Sequence, residues 1–516
     1  MKKEFIIIVT TIIIAVSLLL FSCSEKANLD QPPKPDAPLS ALRAVVDGAK
    51  PGIIVDSLGR QILLRGVNAN SHIEYWQYDP EIITNYPFTE NDADLIAAMG
   101  WNMVRLCISW SRVEPNPGKY DDSYLDEVAK TVDMLSKRGV YTLMDLHQDA
   151  WGASLAAPPG TICTEGVTAE GWDGAPEWAT FDDNESRCKT SHRELVPAVR
   201  AAWVNFFKNK EGPGGMGIQT RYVNMFAHLV KRFANTNAVA GYDIMNEPNQ
   251  FLEETYPLLS KFYENALQAM RLAEKEIGAP KRLFFFEPTI AWQAVGFPAP
   301  EPFKHDDQVV YSPHIYQEGI NDGKLEEGFA RATKETIELY KGAPIVVGEW
   351  GGSPKRAKDP NDDYFQRHLY EQDNNLFGAT IWSWHTSCGD PHAYYAARDG
   401  NITETWGFFN QNCEDNSYDG MRTEYVDVIK KMAVRFAPGA IDQVNWSKDD
   451  TEISAKGSGA KSGNHLEIFV PSNDPKSVHV KASGLGKVNS ISWFGGTLFY
   501  APANGGDWSI QIKTIN

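Results

Sequence analysis

Gly241-Tyr-Asp-Ile-Met-Asn-Glu-Pro248 is the stretch that decides the fold. It closes an apolar run over 238–244 in which Asp243 is the only charge, and such a run must be covered on both faces, as strands of a parallel sheet are. Pro248 stops it, leaving an amide and a carboxyl, Asn246 and Glu247, at the C-terminal end. A carboxyl at the mouth of such a strand is where an α/β barrel places its chemistry. Further along, Ala343-Pro-Ile-Val-Val-Gly-Glu-Trp350 repeats the arrangement: an apolar strand that ends in a lone carboxylate, Glu349, followed by an aromatic.

Two strand-end glutamates suggest a pair. Retaining glycoside hydrolysis uses two carboxyls roughly 5 Å apart, one as acid/base and one as nucleophile. Asn-Glu-Pro after one strand and Gly-Glu-Trp after a later one resemble the acid/base and nucleophile strands of glycoside hydrolase family 5.

The rest of the chain fits a barrel. A hairpin turning at Ser57-Leu-Gly59 leads into a first strand ending at Asn68, and further strands are expected at 102–108, 140–146, 282–286, 309–315 and 378–384. Helix-period segments at 88–99, 124–138, 222–233, 258–277, 325–340 and 363–373 alternate with them. Eight strands alternating with helices predict an α/β fold, a (β/α)8 TIM barrel over 50–438. Beyond Pro438, short runs separated by Gly, Asn, Asp and Pro predict a C-terminal β-sandwich over 439–516, either a supporting module or a binder of sugar or lipid. The insertion at 151–220 is rich in Gly, Pro and aromatics, and a loop that long is usually functional.

Composition narrows the partners. The 516 residues carry a formal net charge of −18, which argues against nucleic acid or an anionic membrane surface as the main partner. Lys2 and Lys3 followed by an apolar run to Phe21 read as a secretory signal over 1–22. Leu20-Phe-Ser-Cys23 resembles a bacterial lipoprotein cleavage box, so an exported, membrane-anchored lipoprotein of the cell envelope is expected, lipidated at Cys23 with a flexible tether over 23–49. In an exported chain, Cys163 is expected to pair with Cys188 and Cys388 with Cys413, each pair lying in one insertion. Cys107, within an apolar strand, is expected to be free and buried.

A narrower resemblance rests on Arg105-Leu-Cys-Ile-Ser-Trp110, Val113-Glu-Pro-Asn-Pro-Gly118, Asp145-Leu-His-Gln-Asp149, the stretch ending at Pro248 and Arg435-Phe-Ala-Pro-Gly-Ala440. These are similar to the endoglycoceramidase branch of the family, whose members cut the β-glycosidic bond between an oligosaccharide and ceramide. The resemblance implies Glu247 as acid/base, Glu349 as nucleophile, Asn246 on the sugar 2-hydroxyl, and Arg105 and Tyr316 orienting the nucleophile. It further implies His147 and Asp149 lining the sugar site and Trp382, rather than Trp384, stacking on the ring. His314, beside Tyr316 at the end of the sixth strand, belongs with the substrate-binding set. Ser71 and His72 stand where the branch carries a glycan-contacting lysine.

The mechanism requires Glu247 protonated at rest and Glu349 ionised, with Arg105 favouring that charge. No metal, nucleotide or other cofactor is called for, and a monomer is expected. Three activities are compatible with these residues: hydrolysis of glycosphingolipid, the same chemistry on a steryl glucoside or soluble β-glucan, and glycan binding without catalysis. For glycosphingolipid, aromatics of the 151–220 insertion and of the loop after Trp384 are expected to form an apolar landing surface.

Overall fold

The computed structural model describes residues 32–249, 255–304, 306–393, 406–447 and 449–515. The expected signal and Cys23 lie outside them. Eight parallel strands form the barrel: β1 Arg65–His72, β2 Met103–Ser109, β3 Tyr141–His147, β4 Val239–Asp243, β5 Leu283–Phe286, β6 Val309–Tyr311, β7 Val346–Trp350 and β8 Gly378–Ile381. They are hydrogen-bonded in the order β6-β5-β4-β3-β2-β1-β8-β7, and a parallel bridge between Tyr311 and Ile345 brings β6 and β7 together. Each strand is buried along most of its length, as the apolar runs require.

Two strands are shorter than expected. β6 ends at Tyr311 because Pro313 offers no backbone donor, which leaves His314 and Tyr316 on the following loop. β8 ends at Ile381, and Trp382 follows it, joined to Ser383 by a cis peptide. The helix Pro197–Phe207 lies inside the insertion expected to be loop, with Pro197 in its first turn and Ala198, Val199, Ala202, Trp203 and Phe206 on its buried face.

The expected domain boundaries are corrected by the sheets. Arg43–Val45, assigned to the tether, is a strand paired antiparallel with Ile53–Val55. Both join Gln61–Ile62, Ala433–Ala437, His465–Val470, Gly496–Pro502 and Asn489–Trp493 in one seven-stranded sheet. A four-stranded sheet of Ala440–Trp446, Glu452–Ala460, Gly506–Thr514 and Val478–Ser483 provides the other layer. Ile441, Ile453, Ile468, Trp508 and Ile512 are among the residues packed between them.

Segments from both ends of the chain also cover the barrel's lower end. Leu42, Ala44, Ile54 and Ile62 pack in one cluster with Met103, Leu143, Leu283 and Val346, so the N-terminal hairpin closes the bottom and the strand C-termini stay open. Arg435, fully buried, donates to the carbonyls of Gly100, Trp101 and Gly139 at 2.7, 2.8 and 3.2 Å, tying the sandwich to the loops beneath β2 and β3. Pro33–Asn516 accordingly forms one compact unit.

Candidate active site

The site is built on Arg105, which projects from β2 into the barrel and is fully buried. Its guanidinium meets Asp145 at 3.0 Å and Asp243, Glu287 and Glu349 at 2.9 Å each. It also donates to the side-chain oxygens of Asn68 and Asn246, both at 3.0 Å. Four carboxyls around one cation exceed its charge. Burial and the neighbouring Glu287 push the Asp243 carboxyl well above its usual range, which removes part of the excess.

Glu349, at the end of β7, accepts from Arg105 on Oε1 and from the Tyr316 hydroxyl on Oε2, both at 2.9 Å. Burial pushes its carboxyl above the usual range against the pull of His314 and Arg105. Both oxygens nonetheless have donors, the arrangement that holds an ionised carboxylate in one orientation.

Glu247 follows β4 with a backbone φ of 37°, a conformation that strains a residue with a side chain and is maintained only where its surroundings impose it. Its N–H donates to Glu287 Oε2 at 2.8 Å, which provides that restraint. Its Oε1 accepts from Gln293 Nε2 at 2.6 Å and lies 2.9 Å from His314 Nδ1. His314 also stands 3.5 Å from Glu349 and 3.1 Å from Glu287. A Cβ at residue 348 would lie 2.8 Å from His314 Nε2, so a glycine there makes room for the ring.

The His314 contact bears on the resting protonation of Glu247. Burial alone would raise the Glu247 carboxyl, but the hydrogen bond and charge of His314 hold it below the usual range. Burial would likewise lower His314, yet Glu287 and Glu349 carry it well above its ordinary value. Both shifts run toward an ionised Glu247 beside a protonated His314, whose Nδ1 lies one hydrogen bond from Glu247 Oε1.

The remaining expected residues line a cavity of about 420 Å³ that contains Glu247, Glu349, Asn246, His147, Asp149, Tyr316 and Trp382. His147 is bonded to Asp145 at 2.6 Å and stacks on Trp382, with ring centres 5.0 Å apart. Trp384 is instead buried, its Nε1 donating to Asp92 at 2.9 Å. Asp149 pairs with Arg193 at 2.5 Å and with His392 at 3.1 Å. Burial opposes protonation of His392, but Asp390 and Asp149 push it up to about 9, so this end of the cavity is charged and hydrogen-bonding at neutral pH. His72, near the expected lysine position, bonds Thr131 at 2.9 Å and does not line the cavity.

The other wall is apolar. Ile290, Ala294 and Val295 come from the short helix Ile290–Val295, and Ile320 from the loop after β6. Val295 and Ile320 are 72% and 62% exposed, and Leu195 from the insertion, at 39%, adds a third apolar side chain to the rim. The aromatics of the insertion turn inward, with Trp151, Trp172 and Trp203 buried and Trp178 packed edge-on against Trp110, whereas Trp406, from the loop after Trp384, lines the cavity. Residues 394–405 of the loop after Trp384 lie outside the described residues. Sequence reasoning missed Glu287, Gln293, Arg193 and His392. Only Glu287 carries a local signal, since Glu287-Pro288 ends an apolar strand as Glu247-Pro248 does.

Both expected disulfides are present, Cys163–Cys188 and Cys388–Cys413, and Cys107 is free and buried. Each bond closes a loop of 25 residues, which stabilises by about 3 kcal/mol through restriction of the unfolded chain.

A parallel eight-stranded barrel with two buried glutamates at the mouths of its fourth and seventh strands is the architecture of a glycoside hydrolase. The chain belongs to glycosyl hydrolase family 5: the family's cellulase domain matches residues 55–387. It is 27% identical over 304 residues to endoglycoceramidase I of Rhodococcus hoagii, covering 55% of this chain and 54% of that protein. The chain spans about half the length, or less, of the curated relatives it matches. The crystal structure of an endogalactoceramidase is 32% identical and superposes with a TM-score of 0.80, covering 92% of this chain and all of that one. Endo-glycoceramidase II from Rhodococcus sp., in its ganglioside GM3 complex, shares the fold at 23% identity and a TM-score of 0.69, covering 90% of this chain and all of that one.

Proposed function

We propose that this chain is a retaining endo-β-glycosidase that cleaves the bond between glycan and ceramide in glycosphingolipids. The observation that carries the mechanism is the spacing at the site: one carboxyl oxygen each of Glu247 and Glu349, and a ring nitrogen of His314, all lie within 4.8 Å of one another. Inversion places a water between carboxyls about 6.5–9.5 Å apart, whereas direct attack by one carboxylate uses roughly 5 Å. Glu349 attacks the anomeric carbon and forms a glycosyl ester. Glu247 gives the leaving oxygen a proton, then takes one from the water that releases the sugar. Asn246, fixed by Arg105 and by its own bond to the Gln148 carbonyl at 3.0 Å, would meet the sugar 2-hydroxyl.

The substrate class is supported by the division of the cavity. The end carrying Asp149, Arg193, His392, His147 and Trp382 offers hydrogen bonds and a stacking face for a sugar, and the rim at Leu195, Val295 and Ile320 offers exposed apolar surface for lipid. The names of the endoglycoceramidase and endogalactoceramidase relatives point the same way. Replacing Leu195, Val295 and Ile320 together with Ser should lower kcat/KM on a ceramide-linked substrate about 10-fold or more, in line with about 1.5–3 kcal/mol for burying each aliphatic side chain. An aryl glycoside should be affected less than about 2-fold on the same scale. Equal losses on both substrates would transfer these residues to sugar binding and favour a soluble β-glucan.

The anchor belongs to the same proposal, because a glycolipid presents its scissile bond at a surface. Lipidation at Cys23 would hold the enzyme on the cell envelope. A Cys23→Ser variant is expected in the soluble fraction of the cell envelope extract, and its retention with the membranes would remove the lipoprotein assignment.

A further inference from the structure

We propose that Gln293 is a positioning residue for the acid/base, holding the Glu247 carboxyl so that Oε2 is the oxygen that delivers and removes the proton. The proposal rests on the assignment of Glu247 as acid/base made above. Both Gln293 Nε2 and His314 Nδ1 approach the same oxygen, Oε1, at 2.6 and 2.9 Å. With two donors on Oε1, a proton placed there would displace one of them. A proton on Oε2 leaves both bonds intact.

The chemistry explains why a glutamine suits this place. The acid/base must be neutral before the first half-reaction and ionised before the second. A lysine or arginine in the same position would favour the ionised form throughout. An amide N–H bonds the carbonyl oxygen of the neutral acid as well as the oxygen of the carboxylate, so it fixes position without fixing charge.

The amide is itself held. Asn321 Nδ2 donates to Gln293 Oε1 at 3.4 Å, which keeps the carbonyl end turned away from Glu247, and Gln317 Nε2 donates to the Gln293 backbone carbonyl at 3.4 Å. The helix carrying Gln293 stops at Gly296, whose φ of 72° is one that glycine adopts without strain. Gln293 is buried, so its donor has little competition from water. Together with the Glu247 N–H bonded to Glu287, these contacts restrain the acid/base at its backbone and at one carboxyl oxygen.

A leaving-group comparison tests this. Gln293→Ala and the near-isosteric Gln293→Leu are assayed for kcat/KM on a ceramide-linked glycoside, whose departure needs protonation, and on a dinitrophenyl glycoside, whose departure does not. Glu247→Gln is measured beside them. The ceramide-linked substrate should lose about 10-fold or more in both Gln293 variants, and the dinitrophenyl substrate less than about 3-fold, since general acid catalysis as a whole contributes about 10²–10⁴-fold. Glu247→Gln should show the same split, enlarged. The ratio of the two rates on one sample does not depend on the fraction folded, so an unstable variant still reports. If Glu247→Gln splits the substrates and the Gln293 variants lose both equally, the positioning role is overturned. If Glu247→Gln itself shows no split, the acid/base assignment fails, and the proposal falls with it.

Discussion

Replacing Glu349 with Gln is expected to lower kcat/KM by about 10⁴-fold or more on every β-glycoside, because loss of a covalent nucleophile removes the step that all substrates share. The loss should be the same for good and poor leaving groups, unlike that of Glu247→Gln. The amide keeps the size of the side chain and can still meet the Tyr316 hydroxyl, so folding should be little altered. It does, however, set a neutral group against Arg105, where the carboxylate accepts at 2.9 Å. Circular dichroism and a thermal melt alongside the kinetics separate loss of chemistry from loss of fold. Activity within about 10-fold of the parent would show that another group attacks the sugar.

Arg105→Met is expected to have the largest effect on stability. It leaves Asp145, Asp243, Glu287 and Glu349 buried around a thioether, where each had faced the guanidinium at 2.9–3.0 Å. Breaking a buried charge set by removing one partner costs about 3–5 kcal/mol, and four stranded carboxyls put this case at the upper end. The pH dependence follows from the direction of the shifts. Asp243 and Glu349 are already raised by burial with the arginine in place, and removing the cation raises them further. A carboxyl whose folded pKa exceeds its unfolded value of about 4 binds protons preferentially in the native state. The variant's stability is therefore best retained near and below that value and is lost as pH rises toward the folded pKa. Relative to the parent, Arg105→Met should melt much lower at pH 8 than at pH 5, by the mechanism just given. Equal displacement at the two pH values would mean that the arginine acts through packing alone. Arg105→Lys, which keeps the charge but cannot reach six oxygens, should fall between.

What could be read from the sequence divides along a physical line. The barrel strands and their terminal chemistry were legible because a strand buried on both faces must be apolar throughout, so a single carboxyl at its end stands out, as at Glu247 and Glu349. The same rule would have found Glu287. Helix Pro197–Phe207 also has a clear period, but the Gly, Pro and Cys residues around it made the whole insertion look like loop. Arg43–Val45 has three residues, and its place is set by a partner strand and by Gln308, which bonds the Ala44 backbone at 2.9 Å from 264 residues away. No local pattern predicts that. Ala440–Trp446 and Glu452–Ala460 are strands with weak apolar alternation and several small residues, recognisable only through the sheet that pairs them.

The site follows the same division. That Arg105 meets a carboxylate was evident from a charge in an apolar strand; that it meets four was not. Arg193 and His392 reach Asp149 from the 151–220 insertion and from the segment after β8, and spacing along the chain carries no sign of their meeting. A resting proton on Glu247 is a requirement of the mechanism and not of any sequence pattern. The groups that face Glu247 Oε1, Gln293 Nε2 and His314 Nδ1, become apparent only when the loops after β5 and β6 are folded against the end of β4.

The most direct test of the central claim is to capture the covalent intermediate. A β-glycoside fluorinated beside the anomeric carbon and carrying a good leaving group forms the glycosyl ester faster than it is released. Intact-mass measurement followed by peptide mapping should then find one sugar bound per chain, on the peptide containing Glu349, with no label in Glu349→Gln. Label on another carboxylate, or hydrolysis giving the inverted anomer with no adduct, would contradict the assignment of Glu349 and the double displacement together.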